Sequence, residues 1–298
     1  MTILVTGATG FIGRRVCELL SQSGHTVIAL SRDPTGAKRR VPALAKALSW
    51  DALEEALKSC EAVVNLAGES IAGRWTTSKK QAIRDSRVGG TRNLVAGLAK
   101  LDSRPKVLIS ASAIGYYGDR EEETLTEDSP PGADFLAQVC KDWESEALTA
   151  QSLGVRVVCA RLGLVLGPGG GSLQAMLPLF KLGLGGPLGS GKQFWSWVHR
   201  DDVAGAIAFA LERDDLRGPI NVTAPQPVRQ REFAQVLGRV LRRPAVLPAP
   251  AFALKLVLGE FANSLLSSQR VLPQRLQQSG YEFRFAELEP ALRHILAR

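Results

Sequence analysis

The stretch TGATGFIG, residues 6–13, constrains this chain more than any other eight residues. The short apolar run TILVT (2–6) leads into it, and Ile12, Val16, Leu19 and Leu20 follow at helical spacing until Gly24 stops the pattern. Gly7, Gly10 and Gly13 therefore stand at a strand-to-helix turn. Glycine there lets the backbone turn tightly and approach an anion, while the free N–H groups and positive dipole end of the helix entered at Phe11 and Ile12 face it. In that setting the triplet reads as the fingerprint of a dinucleotide-binding unit. TVIALS (26–31) supplies the second strand of the crossover.

The pattern then repeats. Helices are expected around 51–59, 78–100 and 134–152, and strands at AVVNLA (62–67), KVLISAS (106–112) and VRVVCAR (155–161). Strands and helices alternating in this way imply an α/β fold with an open, doubly wound parallel sheet. After Gly167 the texture turns rich in glycine and proline. A helix capped by Asp201 or Asp202, a strand at PINVTA (219–224) and a mostly helical tail follow. The expected division is a nucleotide-binding domain over 1–168 and a smaller, mostly helical lobe over 169–298, with 201–224 open to either.

Composition narrows the function classes. With 298 residues, 45% of them hydrophobic, the chain buries a substantial core. No apolar run of about 18 residues occurs, so no membrane-spanning helix and no membrane partner are expected. Ile3–Val5 is too short for a signal peptide, which makes the cytoplasm the simplest compartment. Cys17, Cys60, Cys140 and Cys159 show no C-x-x-C pairing and read as packed thiols. The net charge of +8 includes only one basic cluster, Lys38–Arg40, without interleaved aromatics, so no nucleic-acid partner is expected. GPLGSGK (186–192) imitates an ATPase phosphate loop, yet Gln193 stands where the magnesium-binding hydroxyl belongs and an aromatic, extended FWSWV follows instead of a helix.

The end of the second strand bears on which dinucleotide is bound. An acidic residue there would hold the ribose hydroxyls of NAD, whereas arginine accommodates a 2′-phosphate. The residues are Ser31 and Arg32, followed by Asp33, so NADP(H) is the expected cofactor, with Arg14 as a helper.

Taken together, TGATGFIG, NLAG (65–68), RVGGTRNLV (87–95), SASAIGYYG (110–118), RLGLVLGPGG (161–170) and WVHRDDVAGAI (197–207) resemble the extended short-chain dehydrogenase/reductases, the superfamily of sugar-nucleotide epimerases and dehydratases. NLAGESI, DSRVGGTR and FLAQVCKDWE resemble more closely an atypical epimerase-like subgroup, sometimes labelled cell-division inhibitor. The resemblance implies a Rossmann domain with a substrate lobe, and cofactor contacts at Leu66, Ala67, Gly68, Glu69, Arg74 and Arg87. It also implies a tyrosine acid–base, a serine beside it, a lysine four residues after the tyrosine and an asparagine on the central helix. Carried across, the lysine is Lys141 and the serine Ser112, but the tyrosine's place is Ala137 and the asparagine's Arg87.

Alanine transfers no proton. Three readings follow: Tyr116 or Tyr117 supplies it; the reaction needs no such acid; or the chain binds NADP(H) without turnover, as a sensor or partner protein. The expected activity is an NADP(H)-dependent, epimerase-like oxidoreductase acting on an unidentified small molecule. Trp195–Ser196 replaces a basic pair usual in sugar-nucleotide enzymes, which argues against that substrate class; Phe194, Trp195 and Trp197 are candidates for an apolar wall or for core. Lys192 is a candidate for an anionic substrate group and His199 reads as structural. Helices at 78–100 and 134–152 pair subunits in many relatives, so a homodimer is possible on that resemblance.

Overall fold

The computed structural model describes residues 1–297. Seven strands form one sheet: β1 (Thr2–Thr6), β2 (Thr26–Leu30), β3 (Lys46–Leu48), β4 (Ala62–Asn65), β5 (Val107–Ala113), β6 (Arg156–Leu162) and β7 (Gly218–Val222). Their spatial order is β3-β2-β1-β4-β5-β6-β7, and every pairing is parallel. The order reverses direction beside β1, between β1 and β4, which is where open α/β sheets bind their ligands.

Side chains alternate across the sheet with period two, as the pleat requires. Ile3 and Val5 join one core with Val16 and Leu20 of α1 (Phe11–Gln22) and Val203 and Ile207 of α8 (Arg200–Glu212). Leu4 faces the opposite core with Leu57 of α3 (Leu53–Lys58), Leu94 and Leu98 of α5 (Gly90–Ala99) and Ala147 of α6 (Phe135–Leu148). Between them α2 (Pro34–Arg40) follows β2, and α4 (Thr77–Arg84) precedes α5.

β7 pairs with β6, and α8 covers α1, so residues 201–222 complete the first domain. The C-terminal lobe has its own core, built from Leu173 and Phe180 of α7 (Gly171–Lys181), Phe233 and Leu237 of α9 (Gln230–Leu241), and Leu288 and Leu292 of α13 (Leu288–Leu296). Three further helices lie between the last two: α10 (Ala251–Leu258), α11 (Phe261–Leu266) and α12 (Gln274–Gln278).

The cap of α8 differs from the sequence expectation. His199, not Asp201 or Asp202, is the capping residue: its Nδ1 accepts the Asp201 N–H at 3.0 Å. The helix starts at Arg200, which places both aspartates inside its first turn and frees their carboxylates for other elements. Asp201 accepts from Arg15 of α1, and Asp202 accepts the N–H groups of Arg284 and Phe285 at 2.7 and 3.0 Å, fastening the C-terminal segment to the sheet domain.

His199 is fully buried, stacked on Phe285 with its Nε2 3.2 Å from His294 Nδ1. Burial pushes its pKa down to about 4. A histidine held neutral in the fold binds fewer protons than its unfolded counterpart, so its contribution is complete above the unfolded value of 6.5 and is lost as pH falls toward about 4. Thermal melts should show Tm dropping over that interval, and less steeply in His199→Asn, which keeps a capping oxygen; equal slopes would refute the assignment.

Candidate cofactor and active site

The glycines of the β1–α1 turn are fixed by space. Gly7 has φ +68°, and a Cβ there would lie 2.6 Å from Leu66 O; one on Gly13 would lie 2.1 Å from Gly7 O. Gly10 caps α1 without a side-chain hydrogen bond, and no acidic residue occupies the first turn. The helix end thus keeps its amides and positive dipole for an external anion. Leu66 and Ala67 close the other side of the turn, with their N–H groups donating to Thr6 O and Thr6 Oγ1 at 3.2 Å each.

At the end of β2, Ser31 Oγ lies 3.1 Å from the Asp33 N–H and is held in a local turn. Asp33 is committed as the N-cap of α2, accepting from Gly36 N–H at 2.9 Å. Arg32 is exposed. Asp33 is therefore occupied, and the Arg32 cation beside it is available.

Glu69 follows the β4 end and is anchored on every side. Its N–H donates to Ser86 Oγ at 2.9 Å, its carboxylate pairs with Lys79 at 2.7 Å, and its carbonyl accepts from Arg87 at 2.9 Å. The hydrogen bond and charge of Lys79 lower the Glu69 pKa. Arg87 sits where the helix widens by one residue over Asp85–Gly89, between α4 and α5; such wide turns often occur at functional sites. Its guanidinium covers Gly68, stands 5.3 Å from the Trp143 ring centroid, and has its pKa lowered by burial. Arg87 braces the loop that would border the cofactor. Arg74, further along, is exposed and lies beside Gly259 of the C-terminal lobe. Trp75 packs there on Phe135 and Phe261, and Lys80 pairs with Glu260.

On α6, Ala137 is fully buried. Lys141 is exposed. The residues of α6 that face the end of β5 are Leu136 and Cys140: a Cβ on Gly115 would stand 3.4 Å from Leu136 Cβ and 4.0 Å from Cys140 Sγ. One turn further on, Glu144 accepts the Ser112 hydroxyl at 2.6 Å. The row 136–140–144 lies on one face at i, i+4 spacing, and a one-residue shift turns a helix position by about 100°. Leu136 carries no titratable group, and burial pushes the Cys140 thiol up to about 12. Neither residue relays a proton near neutral pH. The alternation was legible: Gln138, Lys141 and Ser145 recur at helical spacing as a polar stripe.

Ser112 and Tyr117 are both buried. Ser112 is buried against Glu144, and Glu144 forms a two-pronged pair with Arg161, both contacts 2.8 Å. Burial works against the Arg161 charge, but hydrogen bonding to Glu144 and its charge outweigh it and raise the arginine's pKa. Arg161 Nη1 donates to Tyr117 Oη at 2.9 Å, and Tyr117 donates to Asn221 at 2.7 Å. Tyr117 is completely buried, and desolvation pushes its pKa up to about 12. Tyr116 is half-buried, its ring 3.5 Å from the Arg161 guanidinium carbon.

Sequence reasoning missed Arg200. It lies 5.0 Å over the ring of Phe11, the first residue of α1, and Nη1 donates to Pro168 O at 3.1 Å. Its Nε is buried with no hydrogen-bond partner among the described residues, and burial lowers its pKa. Trp195 and Trp197 are buried, with their indole N–H groups donating to Leu265 O and Gln226 O, so both are core. Phe194 is half-buried beneath Arg229 at 4.0 Å. The 186–192 segment runs beside 247–249 and no helix follows it, so it cradles no triphosphate.

A family model described as NAD dependent epimerase/dehydratase family matches residues 3–223. The chain belongs to that family. A second model, Domain of unknown function (DUF1731), matches residues 249–295. The Arabidopsis thaliana "Epimerase family protein SDR39U1 homolog, chloroplastic" is 44% identical over 99% of this chain and 87% of its own length. Bacillus subtilis "Epimerase family protein YfhF" is 40% identical over 100% and 98%. The crystal structure of human epimerase family protein SDR39U1 (isoform 2) with NADPH superposes with a TM-score of 0.90 at 36% identity, covering 100% of this chain and 99% of the human one.

The buried charge pair yields a stability prediction. Glu144→Gln leaves the Arg161 charge buried without its counter-ion, at an expected cost of about 3–5 kcal/mol in urea unfolding. Glu144→Gln combined with Arg161→Met should recover much of the loss; a neutral single variant would contradict the pairing.

Proposed function

We propose that this protein binds NADP(H) and acts as an oxidoreductase on a small molecule, without the tyrosine–lysine acid–base pair of its superfamily. The observation that carries the cofactor reading is the end of β2, where Asp33 is spent on capping α2 and Arg32 remains exposed. The NADPH in the human relative's structure supports it. The glycine turn fits a pyrophosphate because side chains are sterically barred from it, and the unpartnered Arg200 Nε beside Phe11 suits a second anionic contact.

In this reading Arg32 holds the 2′-phosphate, with Arg14 assisting. The amides around Gly10–Ile12 and Arg200 hold the pyrophosphate, and the Leu66–Glu69 loop braced by Arg87 borders the ribose. When bound, the nicotinamide supplies a hydride donor or acceptor. The proton falls to Tyr116, since Tyr117 and Ser112 are sealed into the buried network. A second reading, binding without turnover, is favoured by Ala137, buried where the superfamily's tyrosine is expected. Sugar nucleotides are disfavoured as substrates, because Trp195 and Ser196 replace the basic pair and are themselves buried. Pairing of two chains through α4, α5 and α6 belongs to this proposal and is open to light scattering.

Two binding titrations separate the cofactor roles. Arg32→Ala should weaken NADPH at least tenfold while leaving NADH nearly unchanged, and Arg200→Ala should weaken both alike; equal losses for Arg32→Ala would sink the 2′-phosphate assignment. A substrate screen following NADPH absorbance decides between the two readings. Tyr116→Phe should lower turnover by about 10²–10⁴ with NADPH affinity intact. Tight NADPH binding with no turnover across the screen would favour the sensor.

A further inference from the structure

Of the nine large apolar side chains most open to solvent among the described residues, eight fall in two stretches of the C-terminal lobe, 179–184 and 246–257. Backbone contacts bring the stretches together. Leu247 N–H donates to Gly185 O at 3.2 Å and Ala249 N–H to Pro187 O at 2.8 Å, while a Cβ on Gly183 would meet Pro244 at 3.5 Å. Leu182 and Leu184 therefore neighbour Val246 and Leu247, all four between 49% and 73% exposed. α10 extends directly from this surface, and none of its residues is buried. Phe252 and Leu256 lie one turn apart on the same face, with Val257 beside them. Single exposed leucines are ordinary on a monomer, but a cluster of this kind marks a contact surface.

The charge of the same region is one-sided. The sequence has no Asp or Glu from 147 to 200, nor from 233 to 259. Lys181, Arg242, Arg243 and Lys255 are exposed there, and none enters an ion pair among the described residues. These charges form part of the net +8.

We propose that this surface docks the protein on an anionic lipid bilayer. The apolar side chains would enter the boundary between headgroups and acyl chains, while the lysine and arginine stems lie along it and keep their charges at the phosphates. The contact is peripheral, since no helix among the described residues is long and apolar enough to cross a membrane. A second copy fits the surface poorly. A two-fold contact would set the four cations of one chain against those of the other, with no carboxylate from either stretch to offset them. An uncharged apolar partner would leave the cations desolvated without counter-ions, whereas an anionic bilayer satisfies both components.

The test is co-sedimentation of the full chain, loaded with NADPH, with phosphatidylcholine vesicles that contain or lack phosphatidylglycerol. Binding should require phosphatidylglycerol and weaken as salt rises. Arg243→Gln and Lys255→Gln should each lower the partition coefficient about fivefold, and Leu256→Asp should lower it further. NADPH affinity should stay unchanged in all three, which shows that they fold. The proposal is overturned by an absence of binding to anionic vesicles, by binding that these variants do not alter, or by a solution dimer that Leu256→Asp dissociates.

Discussion

The buried ion pair between Glu144 and Arg161 governs how the open end of this sheet is organised. Two charges taken out of water are tolerated only when geometry and additional hydrogen bonds compensate their desolvation. Here both guanidinium–carboxylate contacts are 2.8 Å, and the remaining donors reach Tyr117 Oη and Glu127 O at 2.9 and 3.2 Å. The pair joins α6 to β6 and, through Ser112, Tyr117 and Asn221, to β5 and β7. On the other side of β5, Asn65 links Thr6, Thr91 and Ser110, and Thr91 accepts the Trp143 indole. Polar groups at the ends of five parallel strands thus satisfy one another.

That organisation has a chemical consequence. The hydroxyls one would nominate for catalysis from sequence, Ser112 and Tyr117, are structural members of the network, and freeing either would leave a buried partner unsatisfied. Beside them, Ala137 and Cys140 are buried on the inner face of α6. The dinucleotide side shows the opposite economy. Around Gly7 and Gly13 side chains are excluded, and the buried Arg200 Nε has no hydrogen-bond partner among the described residues. One side of the cleft is shaped by the exclusion of side chains, and the other is held by its own hydrogen bonds.

Much of the fold was legible because it rests on periodicity. Alternating apolar runs gave the parallel sheet, and the glycines of TGATGFIG gave the switch-point turn, since sterics alone demand them. The site was less legible where a single residue of helical phase mattered. On α6, Ala137, Cys140 and Glu144 are buried while Lys141 is exposed, a phase that becomes clear only once Glu144 is seen to be buried with Arg161. The α8 cap failed for a similar reason: aspartate is a good capping residue, but both aspartates are drawn to distant partners, and His199 takes the position. Arg200 carried no sequence signal, because what singles it out is a missing hydrogen bond.

The same network bears on how independent the C-terminal segment is. Asp202 accepts the backbone N–H groups of Arg284 and Phe285, the Tyr281 hydroxyl donates to Asp202 O at 2.9 Å, and Glu127 accepts the Arg275 N–H at 3.2 Å. These bonds tie residues 275–285 to α8 and to the loop after β5, so this part of the lobe is held by the sheet domain through its backbone. None of the eight residues of α10 is fully buried, four of them are half-buried, and the helix packs chiefly against α11. A helix of that length is marginal in water without tertiary packing. α10 therefore relies on its half-buried side and on its packing against α11.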